Sequence, residues 1–124
     1  MGSETYHEPL ELLSEKTRNL HRGIISLVEE LEAIDWYQQR AEACSDDALK
    51  RVLVHNRDEE IEHAVMTLEW LRRNDAKLAE TLREILFTDR DIASLDESGG
   101  SEGSEGGEGV ALGTLAIGSL KAAG

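Results

Sequence analysis

The chain has 124 residues, with 26 acidic against 13 basic side chains and a formal net charge of −13. That balance argues against a nucleic-acid partner, which needs a surplus of Lys and Arg to meet phosphates, and suits a protein that attracts cations. No stretch reaches the roughly 18 uninterrupted apolar residues of a membrane span. The first residues lack a signal-peptide pattern, and Cys44 as sole cysteine allows no internal disulfide, so a cytoplasmic origin is expected.

Pro9, the only proline, stands where a first helical turn tolerates it. From there to about Ala43 the chain reads as one helix. Leu10, Leu13, Leu20, Ile24, Leu27, Leu31 and Ile34 recur at steps of three and four, with Thr17 filling one gap, which makes one helical stripe. Ser45, Asp46 and Asp47 supply a cap and an acidic first turn for a second helix running to about Arg73. Asn74 and Asp75 restart a third, shorter helix carrying Leu78, Leu82, Ile85 and Leu86.

The composition then changes. Residues 1–90 are expected to form the helical domain and residues 91–109 a flexible acidic linker, since Gly, Ser, Glu and Asp cannot bury a core. Residues 110–124 turn apolar again, with Val110, Leu112, Leu115, Ile117 and Leu120, and read as a docking peptide; a frayed terminus of no consequence is the alternative. The second helix carries two apolar stripes, one of Leu49, Leu53, Ala64 and Leu71, the other of Val54, Ile61, Val65 and Leu68. A helix apolar on two sides is covered on two sides, so an obligate oligomer is expected.

The main chemical signal is Glu60-Ile61-Glu62-His63. Glu60 and His63 are three apart and share one helical face. Leu49, Leu53, Ala64, Thr67 and Leu71 lie within roughly 40° of Glu60 at about 100° per residue, and a carboxylate in such a stripe needs a partner or a metal. Glu30 borders the apolar stripe of the first helix. It lies 15 residues before Ser45, and Glu60 lies 15 after, so an antiparallel hairpin sets them at equal height. Two carboxylates and an imidazole there make an oxygen-rich metal site that suits iron. The competing reading is a buried ion-pair network closed by Arg57 or another basic residue.

These residues carry a family resemblance. Glu29-Glu30-Leu31-Glu32-Ala33-Ile34-Asp35-Trp36-Tyr37 resembles the first-helix motif of the encapsulated ferritins. His55-Asn56-Arg57-Asp58-Glu59-Glu60-Ile61-Glu62-His63, followed by Met66-Thr67-Leu68-Glu69-Trp70-Leu71-Arg72-Arg73, resembles their second-helix motif. Leu112-Gly113-Thr114-Leu115-Ala116-Ile117-Gly118-Ser119-Leu120-Lys121 is similar to the peptide that directs cargo into encapsulin shells; Ala122-Ala123-Gly124 after the lysine is a departure. The ferritin-like di-iron plan uses a Glu from each of two helices and a Glu-x-x-His from each of two others. This chain has one of each.

The resemblance implies an all-α fold: an antiparallel two-helix hairpin plus a short third helix, half a ferritin, with the four-helix bundle completed by dimerisation. It implies iron ligands Glu30, Glu60 and His63 from each chain of a dimer, with Tyr37 close to the centre. Glu29 and Glu32 would form an outer, metal-attracting site near Trp36; from spacing alone that pair reads as a solvated acidic edge. The implied activity is oxidation of Fe(II) by dioxygen, in decameric rings held inside an encapsulin nanocompartment of the bacterial cytoplasm. Leu112, Leu115, Ile117 and Leu120 would dock to the shell. Two rivals remain: a site that binds zinc or manganese without turnover, and a helical adaptor that only recruits partners. His21 reads as a surface or interface residue, His55 as a partner for Glu59, Trp36 and Trp70 as packing anchors, and Cys44 as idle.

Overall fold

Ser14, not Pro9, starts the first long helix. Its backbone is extended (φ −69, ψ 160), and its hydroxyl accepts the Thr17 amide at 3.1 Å. That hydrogen bond satisfies a donor which the first helical turn leaves without a partner. Leu10 and Leu13 keep helical spacing in the sequence, yet Pro9 leads only into a 3-10 turn, Leu10–Leu12. The Arg18 guanidinium donates to the Leu10 carbonyl and ties this turn to the helix behind it.

The computed structural model describes residues 6–95, and all regular structure among them is helical. They fall into two units that divide after Asn74. The first is the hairpin of α1 (Glu15–Ala43) and α2 (Asp47–Asn74). At 29 and 28 residues these helices are each about 42 Å long at 1.5 Å per residue. Asp46 caps α2: its carboxylate accepts the Leu49 amide at 2.9 Å, and its carbonyl accepts the Lys50 amide at 2.9 Å. At the far end, the Asn74 side-chain amide donates to the Trp70 carbonyl at 2.8 Å.

Gly23 marks a close approach of the two helices. A Cβ placed there would lie 3.1 Å from Leu71 Cδ2 and 3.1 Å from the Trp70 ring. Any larger residue would press on the Leu71 and Trp70 side chains. Ala41, Ala64 and Leu71 are the buried apolar residues of the hairpin. Ala64 and Leu71 belong to the stripe predicted to face inward, and Leu53 beside them is half-buried. The other stripe of α2 is partly bare: Val54 is 40% and Val65 59% exposed, Ile61 and Leu68 are half-buried, and Met66 next to it is also exposed. Neither helix covers that surface within its own chain.

The second unit holds α3 (Ala76–Ile85) and a 3-10 turn, Ile92–Ser94. Asp75 caps α3 by accepting the Leu78 amide at 3.1 Å. Leu78, Leu82 and Ile85 lie half-buried on one side, as their spacing predicts. The helix stops at Leu86, whose amide still reaches the Leu82 carbonyl. Phe87 then takes a left-handed conformation at φ 59, which is costly for a residue with a bulky Cβ substituent. The 3-10 turn falls within the stretch the sequence assigns to the linker. So does Leu95, buried at 3% exposure; residues 96–109 and the docking peptide, with Leu112, Leu115, Ile117 and Leu120, lie outside the described residues.

Candidate metal centre

The Glu-x-x-His pair forms within one turn of α2. His63 Nδ1 lies 3.1 Å from Glu60 Oε1. An ionised carboxylate can only accept, so the ring nitrogen is the donor. Glu60 raises the pKa of His63 above its ordinary value, first through this hydrogen bond and then through its charge, with further help from the charges of Glu59 and Glu30. Partial desolvation works against the rise without cancelling it. His63 is exposed and Glu60 half-buried, so the pair stands at the rim of the helix contact.

Glu30 makes its contact with α2 at Thr67. Its carboxylate is taken by the Thr67 hydroxyl, at 2.7 Å to Oε1 and 3.2 Å to Oε2. Helical side chains lean towards the N-terminus of their own helix. In an antiparallel hairpin Glu30 therefore leans away from the turn, while residues of α2 lean towards it. Opposite leans favour a contact between Glu30 and an α2 residue further from the turn than the level one, which is the sense of the Glu30–Thr67 contact. Glu30 is still near enough for its charge to act on His63.

Arg57 does not close the network in the way the competing reading requires. It pairs with Asp58 at 2.9 Å. His55 pairs with Glu59 at 3.5 Å, as its spacing predicts, and Glu59 also lies 4.0 Å from His63 Nε2. His21 stacks on Tyr6 at 4.2 Å between ring centroids. Tyr37 is half-buried, with the Arg40 guanidinium 5.5 Å over its ring. Glu29 and Glu32 are exposed, and Trp36 beside them is half-bare at 51%. Cys44 Sγ rests 3.5 Å from the Asp46 carbonyl at the turn.

Among the described residues of one chain, no three His, Cys, Asp or Glu side chains converge on a point that would hold a metal ion. One chain thus offers a carboxylate–imidazole pair from α2 and a single carboxylate from α1. As a donor set, oxygen-rich with one nitrogen and no thiolate, this fits iron; as a cage, it is incomplete.

Residues 5–89 match the family model described as EncFtn-like. The chain belongs to the EncFtn-like family. It is 54% identical over 126 aligned positions to an encapsulated ferritin-like protein of Rhodospirillum rubrum, covering 97% of this chain and 90% of that one. It is 48% identical to a ferritin-like protein of Thermotoga maritima, covering 87% of this chain and 96% of the relative. A crystal structure of a Nitrosomonas europaea protein is similar in fold, with a TM-score of 0.68 and 57% identity over 71% of this chain and 97% of that one. The motifs of both helices of this EncFtn-like chain fall inside the matched residues; the C-terminal peptide falls outside them.

Two residues of this EncFtn-like hairpin escape a reading by spacing. Thr67 looks like a polar gap in an apolar stripe, yet it is the group that holds Glu30. A signal was present, since a hydroxyl on the inward face of α2 needs a partner from α1. Gly23 is a lone glycine deep inside a helical pattern, which costs roughly 1 kcal/mol against alanine and so hints at a close approach.

Proposed function

We propose that this EncFtn-like chain is a ferroxidase that oxidises Fe(II) to Fe(III) with dioxygen at a site shared by two chains. The observation that carries the reading is the Glu60–His63 pair on α2 with Glu30 presented from α1. These are half of a ferritin-like ligand set, which uses two Glu and two Glu-x-x-His. A second copy related by a two-fold axis supplies the other half. The bare Val54 and Val65 stripe of α2 supports such a partner, because apolar surface of this kind is covered in a stable assembly.

Fe(II) is the substrate, and each ion gives up one electron to dioxygen. Glu30 and Glu60 contribute anionic oxygens, which favour the higher charge of the product ion. His63 contributes a neutral imidazole nitrogen after losing its proton. By the family resemblance, Tyr37 would lie close to the centre, outside the ligand set. Glu29 and Glu32 form an outer cation-attracting pair beside Trp36; their exposure suits capture from solvent. The name of the Rhodospirillum rubrum relative, an encapsulated ferritin-like protein, supports a role as encapsulin cargo; on this reading the C-terminal peptide docks through Leu112, Leu115, Ile117 and Leu120. On this reading it works as a decameric ring inside the nanocompartment, and the shell stores the mineral.

Stopped-flow absorbance near 315 nm after mixing Fe(II) with the protein in air tests the proposal. The unmodified chain should raise the ferric signal well above buffer. Glu60→Ala should fall to the buffer rate while keeping its helical circular dichroism. Equal traces for both proteins and buffer would remove ferroxidase activity and leave an inert metal site or an adaptor.

A further inference from the structure

We infer that Thr67 is a positioning residue for Glu30, setting which carboxylate oxygen is free to take a metal ion. The inference rests on the proposed metal site, and it concerns a residue with no place in the ligand set.

The hydrogen bond from Thr67 joins α1 to α2 across 37 residues of sequence. The other side-chain hydrogen bonds described above reach across eight residues at most. Its geometry is asymmetric. The hydroxyl has one proton, and at 2.7 Å that proton belongs to Oε1; the 3.2 Å approach to Oε2 is the weaker branch. Hydroxyl-to-carboxylate bonds of this length are charge-assisted and among the stronger ones. Oε1 is thereby engaged, and Oε2 remains the better donor for a cation.

Glu has three rotatable side-chain bonds, and a free carboxylate would sample many positions around α1. Thr67 removes that freedom before a metal arrives. In a helix Thr divides between two χ1 rotamers, one of which can bond back to the helix carbonyls; here Oγ1 is turned to Glu30 instead. Ala64 and Leu71, the buried residues of the same stripe, flank it one turn away on either side. Both Glu30 and Thr67 are half-buried, which protects the bond from competing water. The hydroxyl has no charge to repel a cation, whereas Lys or Arg at this position would compete with it. A carboxylate oxygen that already accepts a strong hydrogen bond is the weaker donor to a metal, and this biases Glu30 towards one oxygen per ion over chelation by both.

Hydrogen-bond partners that orient metal ligands commonly change metal affinity by about 10- to 100-fold when removed. Thr67→Val keeps the shape and removes the donor; Thr67→Ser keeps the donor and loses only the methyl group; Thr67→Ala is a second donor-free variant should valine disturb packing. Co(II) serves as the probe, followed by anaerobic titration and by its visible d–d spectrum. Thr67→Val and Thr67→Ala should bind Co(II) about tenfold more weakly and shift the d–d bands as Glu30 changes its mode. Thr67→Ser should restore both affinity and spectrum. A merely structural role would not be rescued by the smaller serine with the bands unshifted. Glu60→Ala runs alongside. If it loses Co(II) while Thr67→Val binds normally with an unshifted spectrum, the positioning role is overturned and the metal site stands. If the unmodified protein does not bind Co(II), both readings fall together.

Discussion

Substituting Gly23 by alanine sets two effects of opposite sign against each other. In a helix interior the change should stabilise by about 0.5–1 kcal/mol, because glycine loses more backbone freedom on folding. Here the new methyl would stand 3.1 Å from Leu71 Cδ2, 3.1 Å from one atom of the Trp70 ring and 3.2 Å from another. These separations are several tenths of an ångström inside comfortable carbon–carbon contact, which lies near 3.5–4.0 Å. Trp70 is 40% exposed and can swing outward, whereas Leu71 is 4% exposed and has little room to retreat. Overpacking of a tight contact commonly costs about 1–3 kcal/mol. Crowding against Leu71 should outweigh the gain in helix propensity, leaving Gly23→Ala less stable by about 1 kcal/mol. Urea unfolding followed by circular dichroism at fixed protein concentration measures this, since assembly makes apparent stability depend on concentration. Gly23→Leu should be worse still. A stabilised Gly23→Ala protein would refute the reasoning, because helix propensity would then be the only force at work and the close approach would carry no cost.

Two other expectations concern assembly and ionisation. Full burial of a valine contributes about 1.5–3 kcal/mol, and Val65 leaves 59% of its surface uncovered, so covering that remainder contributes about 1–2 kcal/mol per chain. Val65→Glu should therefore shift the protein towards smaller species in light scattering and slow iron oxidation with it; an unchanged molar mass would show that this stripe is not where copies meet. His63 should titrate above 6.5 in the metal-free protein, followed by its ring proton signals in NMR, and Glu60→Gln should bring the midpoint down. The sign for stability follows from the raised pKa: the contribution of charged His63 is complete below about 6.5 and is lost as pH rises through the higher folded value. Metal binding runs the other way, because protons compete for the same nitrogen, so Co(II) affinity should fall as pH drops through that range. A midpoint indifferent to Glu60→Gln would mean the hydrogen bond does not persist in solution.

Much of this protein is legible from local chemistry in the sequence. Asp46 and Asp75 cap α2 and α3 because a carboxylate can reach an amide three residues on, and that reach needs no tertiary contact. Glu60 and His63 meet for the same reason: a spacing of three within one helix settles the contact. Periodicity marks both sides of α2 as apolar but not which is covered: one stripe buries Ala64 and Leu71 yet exposes Leu49, and the other leaves Val54 and Val65 open while Ile61 and Leu68 are half-buried. The start of α1 was legible only in part, because apolar spacing continues back to Leu10 while Ser14 holds the competing cap.

What passes between helices was decided by the tertiary structure alone. Counting residues from the turn sets Glu30 level with Glu60; that its carboxylate takes the Thr67 hydroxyl is visible only in the folded hairpin. The closeness of α1 and α2 at Gly23 depends on where Trp70 and Leu71 fall when the helices pack, and no spacing along the sequence encodes that distance. A helical period reports direction around an axis; the register between two axes comes from which side chains interlock.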